Sequence, residues 1–540
     1  MKRNLAIIAV AALFVPATMF AQGNSEEHKS EVIMPDHFDV TPAALRDMFQ
    51  LVDRSGPARG GRDFEPGHPE AIGHTNPAFI DPLVASTTGS TGAFSVGNYA
   101  ATGGTGVDMT ARVAPPDTTG DLGPNHYVQS VNLRYAIYTL TRSSGAISGF
   151  NLVSGFPKNG NVLWQGFGGR CQSDNDGDPV VQYDQLHDRW ILTQFAVSGT
   201  PYTQCVAISQ TGDPTGSYYR YSYSFNRDFN DFPKMGVWNG SYVITYNMFK
   251  SGRSFAGSKV CAFETAKMLT GAAAPQVCAQ TSNSYHSLLP ADIEGTTLPS
   301  STTVPLLSMS SSSIYYWAFT PTFGATPSAT LSGPTVIPGI ASFSRTCSGG
   351  TCIPQAGTTQ QLDSLADRLN YRLSYRNFGD HESLLVNHSV SANGGAGIRW
   401  YEFRNAATKT VSNATPVVYQ QGTYAPTSDY RWMGSAAMDK TGGIAVGYNV
   451  SSSSVKPSIR YAVHTTGDGL GVLGGETSML AGPGVQIKDS YNLSRWGDYS
   501  TMSVDPVDGC TMVFTTEYIP SDGTFNWATW ISSVKLSTCP

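Results

Sequence analysis

Residues 231–247 read DFPKMGVWNGSYVITYN: an Asp, an apolar run, Asn239-Gly240, then a second apolar run. Asn-Gly between alternating apolar residues signals a two-residue hairpin, because a type I′ turn needs positive φ at both central positions. The same grammar recurs in GSAAMDKTGGIAVGYN (434–449) and STMSVDPVDGCTMVFTTEY (500–518). Working outward, seven units each begin with an Asp just before a strand: Asp121, Asp178, Asp231, Asp292, Asp367, Asp429 and Asp498. The intervals are 57, 53, 61, 75, 62 and 69 residues. A third strand follows in every unit, as in KVCAFET (259–265) and IRWYEFR (398–404). A fourth, weaker strand follows in the first six, as in YYRYSYSF (218–225).

Four antiparallel strands repeated at intervals of 50–75 residues describe an all-β fold, a β-propeller. Seven units predict seven blades over residues 107–540, with six blades as the alternative. Tandem β-sandwiches also have short strands, but would not repeat one Asp-strand pattern seven times. The last unit stops after its third strand, so a strand from about 85–115 is expected to supply the fourth and close the ring. Closure leaves only short, protected edges.

The N-terminus reads as an export signal over residues 1–21: Lys2 and Arg3, then an apolar stretch from Leu5 to Val15, and Ala21 before the cut. Residues 22–40 read as a polar, mobile tail. Thr41-Pro42 opens a helix expected over 41–55, with Leu45, Met48, Phe49 and Val52 on one face and Gly56 as its stop. Residues 57–106 read as an extended Gly/Ser/Thr-rich connector. Eight cysteines agree with an oxidising compartment. Sequential pairing keeps each bridge local, and Cys510–Cys539 would lock the seam of the ring.

The 540 residues carry 34 Lys+Arg against 40 Asp+Glu, a formal charge of -6. Nucleic-acid binding is not expected, since it needs clustered Lys and Arg. No later segment is long and apolar enough to cross a membrane, so a secreted (extracellular or periplasmic), monomeric protein is expected. The partner expected is an extracellular polysaccharide or surface glycan.

In a propeller the first strand of each blade lines the central channel, so the seven Asp residues are expected at one height near a mouth. Like charges held close need partners, and Arg368, Arg372, Arg431 and Arg495 stand at matching sequence positions. Asp498 and Glu517, with Tyr518 beside it, fit the carboxylate pair or activated Tyr of glycoside cleavage. Asp178 and Asp231 would face substrate, and Arg372, Arg431 and Arg495 would clamp a sugar carboxylate. A lyase would use Tyr518 or His388 as base. His126 and His381 fall in turns and are expected to stabilise them. The loop DNDGD places Asp174, Asp176 and Asp178 at alternating positions, a spacing that suits a structural Ca²⁺. No organic cofactor is expected: P-loop, GxSxG, HExxH and Rossmann patterns are missing.

DTTGDLGPNHYVQSVN (117–132), GDPVVQYDQLHDRW (177–190), DFPKMGVW (231–238), RNFGDHESLLVNH (376–388) and RWGDYSTMSVDP (495–506) resemble a largely uncharacterised family of secreted bacterial proteins. The last segment more distantly resembles sialidase-type propellers. That resemblance implies a sugar-active propeller with an Arg triad at Arg372, Arg431 and Arg495, a Tyr518–Glu517 pair, and an acid at Asp178 or Asp498. The chain departs from that family: the Asp-box is missing, SDGTFNW (521–527) being a distorted echo, and seven units replace six.

Overall fold

The computed structural model describes residues 28, 30–49, 78–84, 95–101 and 113–540 except 144, 413 and 488–493; for 95–101 it describes the backbone alone. The export segment 1–21 lies outside the described residues.

Among the described residues the pairing gives seven units of four antiparallel strands, here blades 1–7 in chain order. Their innermost strands are Thr119–Leu122, Gly177–Asp184, Phe229–Trp238, Leu289–Glu294, Asn370–Asn377, Tyr430–Met438 and Thr501–Val504. Each abuts the innermost strand of the next blade, and the seventh abuts the first, so the ring is closed. The propeller expected from the Asp-strand repeat is thus observed. Blades 4, 5 and 6 share one continuous sheet, because Ala291–Glu294 pairs in parallel with Leu373–Arg376 and Ala396 bridges Tyr430.

Closure occurs where expected. Ser95–Ala101 pairs antiparallel with Ala528–Lys535 and becomes the outermost strand of blade 7. The long interval between the fourth and fifth Asp residues holds an insertion with its own small sheet, Thr351–Ile353 against Leu362–Asp363. Cys347–Cys352 clips it, and Cys171–Cys205, Cys261–Cys278 and Cys510–Cys539 complete the sequential pairing.

Side chains packed between neighbouring blades fill the core. Phe514 of blade 7 lies over Gly447 of blade 6 so closely that a Cβ there would stand 2.5 Å from its ring.

Two expectations for the N-terminal region are corrected. Residues 31–40 are not a mobile tail: Glu31–Ile33 adds a fifth strand to blade 3 and His37–Val40 adds one to blade 2. Arg220 grips Asp39 at 2.6 and 2.8 Å, and Lys259 grips Glu31 at 2.6 Å. The helix expected over 41–55 is a single 3-10 turn, Leu45–Asp47, in its described part; residues 50–55 lie outside. Tertiary partners take its backbone groups. Leu45 and Arg46 N–H donate to Gly216 and Thr215 carbonyls. The Lys158 ammonium donates to the Leu45, Arg46 and Met48 carbonyls at 2.7, 3.2 and 2.6 Å. These contacts satisfy the carbonyls of the segment without an α-helical ladder.

Candidate functional site at the channel mouth

All seven innermost strands enter the channel at the same end. At six of these entries stands a non-glycine residue with φ between 43° and 53°: Asp117, Asp178, Phe232, Ser287, Met433 and Asp498. Left-handed backbone costs an L-residue ~1–2 kcal/mol, and Asp tolerates it better than most. Blades 1, 2 and 7 are neighbours in the ring, so Asp117, Asp178 and Asp498 enter one sector of the mouth.

This corrects the expected ring of seven equivalent Asp residues. The structural repeat runs through Asp117, not Asp121, and through Ser287, not Asp292; Asp121 and Asp292 stand four and five residues farther along their strands. Asp367 is held by Arg368 through two contacts of 2.9 Å. Asp429 accepts a hydrogen bond from Thr427 Oγ1 and is half-exposed.

The mouth cluster is a connected network. Asn132 donates through Nδ2 to Asp117 at 2.9 Å and accepts the Asp178 N–H at 2.8 Å. Asp178 accepts the Tyr499 hydroxyl at 2.9 Å. The Tyr499 ring carries the Lys234 ammonium 3.3 Å from its centroid, and Phe232 covers the other side at 3.2 Å. The Arg368 guanidinium lies 4.5 Å from the Phe232 centroid. Arg495 is paired with Asp498 and lies 3.9 Å from Asp363. Asp231 is near enough to act electrostatically on Tyr499.

Lys234 is 2% exposed and Asp117 is 3% exposed. Burial drives the Lys234 ammonium down to about 7, although Asp178, Asp117 and Asp498 oppose the shift. Burial, then the charges of Asp498 and Asp178, push the Asp117 carboxyl well above its ordinary range. Burial thus loosens the proton of a cation and tightens that of a neighbouring carboxyl, a pairing that favours general acid–base exchange.

A second tier lies deeper in the channel. Arg372 is ringed by Asp292, by Glu294 at 2.9 Å and by Asp121 at 4.0 Å. One cation among three buried carboxylates cannot satisfy all of them: burial pushes Asp292 up to about 6 and Glu294 up to about 7. Arg372 is therefore enclosed by protein carboxylates.

The other sequence-predicted residues are dispersed. Glu517 sits directly behind the Asp498 loop, where its carboxylate accepts the Gly497 N–H at 2.7 Å; burial raises its pKa well above the ordinary value. Tyr518 points away from that loop and packs edge-on against Trp530. Arg431 is buried in a bidentate pair with Glu476, at 2.7 and 3.1 Å. His388 is buried against Tyr401 and Phe343, with Nε2 3.0 Å from the Tyr401 hydroxyl. The expected three-arginine clamp is thus not assembled, because Arg372, Arg431 and Arg495 are paired with carboxylates in different places. The DNDGD carboxylates also diverge. Asp174 pairs with Arg170 at 2.7 Å; Asp176 accepts Val197 and Ser198 N–H groups at 2.5 and 2.7 Å; Asp178 turns to Tyr499. Of the turn histidines, His381 stacks on Phe378 beside Asp380, and His126 is half-buried near Asp213.

Sequence reasoning missed Lys234 and Asp117 as site residues. Lys234 is the only ionisable residue between Asp231 and the Asn239-Gly240 turn, which marks it in hindsight.

No protein-family model matches the chain, and no curated protein matches it. Among solved structures it is similar to an α-L-arabinanase from Penicillium chrysogenum, with TM-score 0.32 and 9% identity over 67% of this chain and 96% of that one. It is also similar to a PL25 ulvan lyase, with TM-score 0.26 and 11% identity over 78% and 81% of the two chains. A third is the NanB sialidase of Streptococcus pneumoniae, with TM-score 0.28 and 9% identity over 84% and 70%. Scores this low carry no argument about chemistry.

Proposed function

We propose that the protein is an exported enzyme that cleaves extracellular glycans, as a glycoside hydrolase or polysaccharide lyase, at the mouth built by blades 1, 2, 3 and 7. One observation carries the reading: a buried Lys234 ammonium between two aromatic rings, in the electrostatic reach of Asp117, Asp178 and Asp498. Such a cluster sets an ammonium whose pKa is lowered beside a carboxyl whose pKa is raised, so that a proton donor and a proton acceptor stand together, as glycoside cleavage requires. Asp498 is the residue assigned to proton transfer. Glu517 is a positioning residue, since its bond to Gly497 N–H fixes the turn carrying Asp498. Four disulfides support export; among the described residues no helix is long and apolar enough to span a membrane.

The test is a screen of the purified protein on neutral, uronic-acid and sialylated glycans, reading new reducing ends and unsaturated products. Wild type releases product, and Asp498→Asn loses at least ~10²-fold in rate while circular dichroism shows that it remains folded. No product from any glycan, or full activity in Asp498→Asn, overturns the proposal. A second reading is a non-catalytic glycan-binding propeller, in which the cluster holds a sugar without cleaving it. Saturable binding without product would select it.

A further inference from the structure

The mouth contains two incomplete hydrogen-bonding groups. Asp117 Oδ1 is buried with no hydrogen-bond partner among the described residues, while Oδ2 takes the Asn132 amide. Lys234 carries three N–H donors, and its hydrogen bond is to the Pro233 carbonyl at 3.3 Å; the faces of Phe232 and Tyr499 cover its flanks. A buried acceptor left without a partner is costly. A ligand that both donates and accepts would complete the two groups together.

Charge decides which ligand. Asp117, Asp178 and Asp498 repel a sugar carboxylate or sulfate. The guanidiniums that would offset this are committed: Arg495 to Asp498, Arg368 to Asp367, Arg372 to the deeper acids. An amino sugar's ammonium, placed to reach Asp117, would stand beside the Lys234 ammonium. A neutral hydroxyl meets neither objection, since it donates to a carboxylate and accepts from an ammonium.

We infer that the mouth receives a neutral sugar, whose adjacent hydroxyls donate to Asp117 Oδ1 and accept from Lys234 Nζ, and that acidic glycans are excluded. This rests on the glycan reading above and narrows it. It also selects hydrolysis over elimination, because elimination removes a proton made acidic by a neighbouring carboxylate. In the hydrolytic step one carboxyl gives its proton to the departing glycosidic oxygen as the C–O bond breaks. The oxygen of water bonds the anomeric carbon, and a second carboxylate takes the proton that water releases.

The experiment is calorimetric titration, with turnover measured in parallel, using neutral pentose and hexose oligosaccharides against uronic-acid, sialic-acid and amino-sugar oligosaccharides. Wild type, Lys234→Met and Asp117→Asn are compared, with melting temperature as the control for folding. Neutral oligosaccharides bind wild type, and each variant binds at least tenfold more weakly. Preference for acidic or amino sugars overturns the inference while leaving an enzyme in place. Neutral binding that depends on Lys234 but yields no product keeps the inference and overturns the enzyme reading. Binding unchanged in both variants, or no binding of any sugar, overturns it.

Discussion

At Lys234 an ammonium stem enters a space bounded by Phe232 and Tyr499, and its effect on stability has a definite sign. Its native pKa is about 7, below the ordinary lysine value. Between that pH and about 10.4 the unfolded chain holds a proton that the native protein lacks, so stability rises with pH there. Lys234→Met is expected to flatten that slope in urea titrations across pH 7–10. Arg372 has the converse role: it is the cation among Asp121, Asp292 and Glu294. Arg372→Met leaves three buried acids uncompensated and is expected to lose about 3–5 kcal/mol at pH 8. The native pKa values of Asp292, about 6, and Glu294, about 7, lie above those of the unfolded chain. The native protein therefore binds extra protons below that range, and the loss shrinks at pH 5. A loss as large at pH 5 as at pH 8 would show that protonation of these acids does not relieve the missing cation. The strand repeat was legible in sequence; which residue of each unit stands at the channel mouth was not. Blade 1 carries Asp at both 117 and 121, and only the left-handed position distinguishes the mouth from the interior.

The N-terminal segment shows, at the scale of an element, where local pattern loses to tertiary contact. Thr41-Pro42 followed by Leu45, Met48 and Phe49 reads as a capped amphipathic helix. The structure instead hands its carbonyls to Lys158, more than a hundred residues away, which no local pattern encodes. Lys158→Met removes the donor to three carbonyls. It is expected to lower stability by about 1–3 kcal/mol and to speed proteolysis within residues 28–49, read by mass spectrometry of limited digests. Unchanged cleavage would show that the edge strands on blades 2 and 3 hold the segment without Lys158. By contrast, third strands such as KVCAFET and IRWYEFR were legible because alternation, turn residues and length all agreed.

For the molecule as a whole, ring closure joins distant parts of the sequence. Ser95–Ala101 completes blade 7, and Cys510–Cys539 ties the ends of two adjacent strands in that blade. The closure was legible from a missing fourth strand, and the disulfide from the antiparallel geometry of the last unit. Cys510→Ser with Cys539→Ser is expected to lose roughly 2–4 kcal/mol, read in urea, with blade 7 edge amides losing hydrogen-exchange protection first. The candidate site was only partly legible. Asp178, Asp498 and Arg495 stand together at the mouth, and Asp231 is near enough to act on Tyr499. Lys234 and Asp117 gain their character from burial by blades far apart in the sequence, while Arg431 and His388 are drawn into blade packing. The Lys234–Asp cluster is proposed to do acid–base work on a glycan. The pH dependence of kcat/KM for glycan cleavage, in wild type and Lys234→Met, tests it most directly. Wild type is expected to show a limb near pH 7 that vanishes in the variant together with most of the activity. An identical profile in the two proteins, or no cleavage by either, would contradict it.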